Sequence, residues 1–403
     1  MRAFQPVIRS LLDTDLYKFT MWQPFLHSFP GNHAVYRFVC RSRPRYPLAS
    51  LEREVRAQLE HLCTLTFTAE ELAYLGGLRY LKPDFIEFLR IFRFQSRFLS
   101  VGSDGERLMI ETRGPQIHVM GFEIFVLSIV NELYFRAFAR QSAQATGRER
   151  LARKIALLGD LSSGRGSLAQ PRRHPFQFFD FGTRRRFSRA WHEKVVATLA
   201  RAAPEQFRGT SNVHLARKYG LTPIGTMAHE YLQTFQAVGV QLRHFQKAAL
   251  ENWVQEYRGD LGIALTDVVG MDAFLQDFDP YFAKLFDGLR HDSGDPVLWA
   301  EKALAHYERL RIDPHGKRLV FSDSLTLKKA LSLYERFADR IPCGFGIGTH
   351  LTNDLGVPTL DIVMKLVECN GQPVGKLSDE PGKTLCDDRT FLAYFRQVFK
   401  HPG

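Results

Sequence analysis

From about residue 123 onward, short apolar runs alternate with amphipathic stretches of helical period. The runs at 177–181, 222–225, 262–266, 288–291, 318–322, 344–347 and 361–367 predict strands. A further short strand is expected near Gly209, ahead of a turn and short helix over 212–218. Between the strands, 188–201, 296–310 and 325–337 repeat apolar positions three and four apart and predict helices. A long apolar helix is expected over 125–140. Repeated strand-then-helix units imply a parallel sheet, and seven or eight of them suffice to close a barrel.

The pattern before residue 123 is different. It predicts a strand over 34–40, a helix over 50–62, and a helix over 68–75 behind the capping pair Thr68 and Glu71. A helix restarts at 81–84 and runs to Phe88. Two strands, 98–101 and 107–112, flank Gly102-Ser103-Asp104-Gly105, a hairpin signal. The expected organisation is an α+β domain over 1–122, rejoined by 370–403, and an irregular parallel α/β barrel over 123–369.

Composition narrows this. The 403 residues exceed one ordinary core, and 45% are hydrophobic. The 33 phenylalanines point to bulky packing. Five cysteines show no metal-ligand spacing, and with no secretion pattern at the N-terminus they fit reduced thiols in a cytoplasm. No run of about 18 apolar residues occurs, so no membrane span is expected. The net charge of +11 favours anionic partners, either nucleic acid or polyphosphorylated small molecules. Basic runs are usually solvated faces. The run Arg184-Arg185-Arg186 differs, because it follows an aromatic strand directly.

The candidate chemistry falls at strand ends, where a barrel places its active site. Gly225-Thr226-Met227-Ala228-His229-Glu230 puts a histidine just after a strand. There it can act as a nucleophile toward phosphate, although most histidines are structural or surface groups. Phe181-Gly182-Thr183-Arg184 ends another strand. Arg290-His291-Asp292-Ser293-Gly294-Asp295-Pro296 offers Arg290 to a phosphate or carboxylate and Asp292 and Asp295 to a ribose hydroxyl or magnesium, while Asp295 and Pro296 also read as a helix start. Ser322 and Asp323 are available to phosphate or ribose, or equally to a helix cap. Gly346-Ile347-Gly348-Thr349 offers backbone amides to an anion. Gly371-Gln372-Pro373-Val374-Gly375-Lys376 is too short for a phosphate loop of the Walker kind.

Taken in order, these motifs closely resemble those of the bacterial nicotinate phosphoribosyltransferase family. The resemblance also includes Leu12-Asp13-Thr14-Asp15-Leu16-Tyr17-Lys18, Gly209-Thr210-Ser211-Asn212-Val213 and the stretch from Lys376 to Thr384, and so covers essentially the whole chain. It implies a type II phosphoribosyltransferase fold and transfer of phosphoribose from 5-phosphoribosyl 1-diphosphate to nicotinate. It also implies ATP as co-substrate through a phosphohistidine, Mg2+, and a homodimer with shared active sites. His229 matches the phosphorylated histidine and Asp267 the acid that orients it. Phe181 and Tyr17 match the aromatic pair around the pyridine, with Tyr17 supplied by the partner subunit. Arg184 and Arg290 match basic groups near the base and diphosphate, and Asp292 the ribose ligand. Gly346, Gly348 and Thr349 match the 5′-phosphate loop, and Lys376 and Lys383 are further phosphate contacts. Thr210 and Ser211 sit where nicotinamide-using relatives carry an acid after Gly-Thr. The neutral Ser211 avoids repelling a carboxylate and can donate to it, which favours the acid substrate over nicotinamide. Quinolinate phosphoribosyl transfer would not use ATP, and the phosphohistidine motif argues against it. A basic RNA-binding protein would explain the charge, but no RNA-binding aromatic motif is present, and no nucleic-acid partner is expected.

Overall fold

The structure, a computed structural model, describes residues 4–42, 46–139, 142–163, 172–378, 380, 384 and 386–400. Its strands in chain order are β1 (His33–Cys40), β2 (Leu99–Asp104), β3 (Arg107–Pro115), β4 (Phe178–Asp180), β5 (Phe207–Thr210) and β6 (Thr222–Pro223). They continue with β7 (Ile263–Leu265), β8 (Gly288–His291), β9 (Arg318–Phe321), β10 (Cys343–Ile347), β11 (Ile362–Cys369) and β12 (Gln372–Pro373).

Seven strands form one curled parallel sheet in the order β6-β5-β4-β10-β9-β8-β7, the irregular α/β barrel expected from the strand-helix rhythm. Its ladder is open between β6 and β7, where a side chain spans the gap: Thr226 Oγ1 donates to the Ile263 carbonyl at 2.9 Å. The phenylalanines pack through the sheet. Phe176 and Phe321 both stack on Phe345, at 5.3 and 5.5 Å between ring centroids. The helices fall close to their expected spans, including Arg189–Ala202, Pro296–Arg309 and Leu327–Phe337.

The second sheet is antiparallel, in the order β12-β11-β1-β3-β2, and belongs to the separate N-terminal α+β domain. Here one expectation is corrected. The stretch 361–367, expected in the barrel, instead forms β11 and pairs antiparallel with β1 from Ala34↔Cys369 to Cys40↔Ile362. The hairpin is also tighter than expected, because β2 runs on through Asp104 and Gly105 turns at φ +57°.

The stretch Gln116–Phe138 has the length and apolar character of a membrane span, yet 89% of its apolar window is buried inside the protein, as in a core helix. Its helix Phe122–Phe138 supports the turn after β4, where Ser128 Oγ donates to the Thr183 carbonyl at 3.0 Å.

Candidate active site

A cavity of about 760 Å³ opens where the carboxyl ends of the barrel strands meet the antiparallel domain. Barrel strand ends and the loops after them contribute Phe181, Arg184, Ser211, His229, Arg290, Asp292, Ser322, Asp323, Gly348 and Thr349 to its lining, and Lys376 follows β12. Tyr17 also lines it. Twelve residues expected at a site from sequence alone thus face one cavity. Within the single chain, Tyr17 lines the cavity of its own subunit.

The helix Leu16–Ser28 is brought to the barrel by backbone and charge. Asp15 bridges to Asn212, and Leu16 N donates to the Ser211 carbonyl at 2.8 Å. Arg186, fully buried, forks onto Asp13 at 2.6 and 2.7 Å. The Arg186 guanidinium holds the Asp13 carboxyl far below its ordinary range, against the upward push of burial. Gly225 allows the close approach, because a Cβ there would lie 3.0 Å from Tyr17 N. Behind Tyr17, the buried Lys18 ammonium bridges Glu123 at 2.5 Å and Glu230.

His229 opens the helix His229–Thr234. Its Nε2 lies 2.7 Å from Asp267 Oδ1, two residues beyond β7. Asp267 Oδ2 also accepts from Lys376 Nζ at 2.5 Å and Ser293 Oγ at 2.7 Å. Burial pushes the Asp267 carboxyl up, but His229 and Lys376 outweigh it and hold the group well below the usual carboxylate range. An ionised Asp267 only accepts, so the bond to it needs a proton on His229 Nε2, and the neutral form of the ring then keeps its lone pair on Nδ1. Lys376 Nζ approaches that same Nε2 at 2.9 Å. Lys376 is therefore committed to the histidine–aspartate pair, a closer role than the phosphate contact expected of it.

Asp292 stands 3.8 Å from His229 Nε2, and His229, Asp267 and Asp292 offer ligand atoms within 4.8 Å of one another. Among the described groups, the cation seated on Asp267 is Lys376. The one proton of Ser322 Oγ lies within reach of the His291 carbonyl at 2.9 Å and of Asp292 Oδ1 at 3.2 Å, so Ser322 faces the site and Thr326 caps the helix instead. Asp295 does cap its helix, accepting from Val297 N and Leu298 N, both at 2.8 Å.

Some expected contacts fall outside the cavity. Thr210 is buried and donates to Asp180 at 2.6 Å, so it shapes the strand end from behind. Gly346 lies in β10, where a Cβ would meet the Phe181 ring at 2.3 Å. It makes room for the aromatic wall, a different task from holding phosphate. Lys383 lies outside the described residues. The Ser211 hydroxyl, expected to donate to a ligand, donates to Asp15 Oδ1 at 2.7 Å.

Sequence reasoning missed Asp15, Glu123, Glu230, Arg41 and Lys365, which all line the cavity. Lys365 comes from β11, and burial, helped by Arg41, pushes its ammonium down to about 8. Its signal was the lysine inside an alternating strand. Arg172 pairs with Asp339 at 2.8 Å on the surface, whereas Arg185 reaches Asp361 at 2.8 Å at the cavity wall.

Comparison with known proteins gives the family. The model of the nicotinate phosphoribosyltransferase (NAPRTase) family matches residues 176–403, and that of its N-terminal domain matches residues 12–131. A nicotinate phosphoribosyltransferase of Herminiimonas arsenicoxydans is 66% identical over 99% of both chains. One of Chromobacterium violaceum is 61% identical over 99% of this chain and 98% of its own. Among solved structures, the nicotinate phosphoribosyltransferase of Vibrio cholerae superposes with a TM-score of 0.93 at 38% identity, covering 99% of this chain and 95% of the other. That of Porphyromonas gingivalis gives 0.89 at 37% identity, covering 98% of this chain and all of the other. From its fold, its strand-end cavity and these matches, the chain belongs to the nicotinate phosphoribosyltransferase family of enzymes.

Proposed function

We propose that the enzyme joins nicotinate to 5-phosphoribosyl 1-diphosphate, giving nicotinate mononucleotide and diphosphate, as the entry of nicotinate into NAD salvage. The transfer is coupled to ATP hydrolysis through a phosphohistidine at His229. The observation that carries the coupling is the His229–Asp267 pair at 2.7 Å on the cavity wall. With Nε2–H donated to Asp267, the Nδ1 lone pair attacks the γ-phosphorus of ATP and ADP leaves. The Asp267 carboxylate balances the positive charge that develops on the ring, and Lys376 holds that carboxylate in place.

Phe181 and Tyr17 flank the pyridine, and Arg184 faces its carboxylate. The pyridine nitrogen attacks ribose C1 as diphosphate departs, and the basic groups of the cavity, Arg290 among them, stabilise the leaving charge. The carboxylates of Asp292 and Asp323 at the cavity wall fit a hard, oxygen-seeking ion, and they would hold Mg2+ that neutralises the diphosphate. A homodimer and a cytoplasmic location complete the reading. The location is supported by five unpaired cysteines.

The test is mononucleotide formation from nicotinate, phosphoribosyl diphosphate and magnesium, with and without ATP. Product that rises strongly with ATP, and from nicotinate rather than nicotinamide or quinolinate, is the expected result. His229→Asn is expected to keep a basal rate and lose the ATP-stimulated part. A variant that is still stimulated by ATP would sink the phosphohistidine.

A further inference from the structure

Asp15 occupies the N-cap position of the helix Leu16–Ser28, yet its side chain accepts no capping hydrogen bond. It turns instead toward the cavity, nearly fully buried, and accepts from the Ser211 hydroxyl at 2.7 Å. Among the described residues it has no direct cationic partner. The charged groups around it are Arg184 and Arg186 on one side and Asp180 on the other, with the phenol of Tyr17 beside it.

This hydrogen bond sets what Ser211 shows to a ligand. A serine has one proton to give. While Asp15 is ionised it accepts only, so it takes that proton and Ser211 turns lone pairs to the cavity. Lone pairs suit an amide N–H and repel a carboxylate. A carboxylate ligand therefore meets, beside the favourable Arg184, two unfavourable groups, the Asp15 charge and the Ser211 lone pairs. Both reverse if Asp15 takes one proton from solvent. The new O–H on Asp15 donates to Ser211 Oγ, and the Ser211 O–H swings round to donate to the ligand carboxylate. No bond in the substrate changes.

We propose that Asp15 is a specificity-determining residue that admits nicotinate only as the neutral acid, passing a donor through Ser211 to the substrate carboxylate. This rests on nicotinate being the substrate. The burial of Asp15 works in the same direction, since it raises the proton affinity of the carboxyl despite the bonds from Thr183 and Ser211.

The test is calorimetry of nicotinate binding to the full chain from about pH 6 to about pH 9, in buffers of different ionisation enthalpy. The expected result is uptake of one proton per nicotinate at the alkaline end. Affinity should fall about tenfold per pH unit there, because one proton is bound with the ligand. Nicotinamide should show neither effect. Asp15→Asn should abolish the uptake and flatten the pH dependence for nicotinate. Wild-type binding without proton uptake at the alkaline end, or uptake that survives in Asp15→Asn, would overturn the proposal. The wild-type proton count needs no variant, so it stands even if Asp15→Asn does not fold. Failure of nicotinate to bind at any pH would instead remove the substrate assignment, and this inference with it.

Discussion

Asp267 shows how one buried carboxylate serves both stability and chemistry. It accepts from His229, Lys376 and Ser293, and Lys376 is itself only 4% exposed. Removing the acid leaves that ammonium buried and unpaired, so Asp267→Ala is expected to cost about 3–5 kcal/mol in denaturant unfolding. The pH dependence has a definite sign. The folded-state value lies well below that of the unfolded chain. The contribution of Asp267 is therefore full above about pH 4 and is lost as the pH falls through the folded value. Gly346 gives a second prediction. A methyl group there lies 2.3 Å from the Phe181 ring and must displace it. Gly346→Ala is expected to raise the KM for nicotinate and to cost about 1–3 kcal/mol, read from steady-state kinetics and thermal unfolding. At this scale the sequence was legible where chemistry and strand ends coincide, as at His229, Asp292 and Phe181. Asp15 was not legible. Its partner Ser211 lies 196 positions away, and an aspartate before a helix reads locally as a cap.

Among the elements, the strands of the parallel sheet were legible because they are short, apolar and bounded by glycine and polar residues. β11 was placed in the wrong sheet, and its own pattern explains why. Ile362, Met364, Leu366 and Cys369 are buried, while Val363, Lys365, Val367 and Glu368 are partly exposed. Such near-alternation marks a half-exposed antiparallel strand, whereas barrel strands buried on both faces read as continuous apolar runs. The helix Pro296–Arg309 offers a prediction of its own kind. Asp295 only caps it, so Asp295→Ala is expected to lower stability by about 1 kcal/mol and leave the KM for phosphoribosyl diphosphate unchanged. A large KM change would move Asp295 into the site.

For the whole molecule, the charge of +11 finds its use locally. Arg41, Arg184, Arg185, Arg290, Lys365 and Lys376 converge on one cavity. That convergence favours a polyphosphate ligand over a nucleic-acid surface. Magnesium phosphoribosyl diphosphate at about a hundredfold excess over Kd is expected to stabilise the fold by about 2.7 kcal/mol, seen as a raised Tm that added salt diminishes. An unchanged Tm would argue against a preformed anion site.

The return of β11 to the first domain bears on how the protein is made. One edge of β1 is covered by β3 soon after it is synthesised, but the other waits for a strand encoded more than 300 positions later. At the pace of a ribosome that delay is on the order of tens of seconds. Through that interval the nascent chain carries an unpaired edge beside Val35, Tyr36 and Phe38, a template for pairing with the wrong neighbour. Translation that stalls anywhere in the barrel therefore leaves a sticky fragment, and the first domain becomes safe only once β11 has been read.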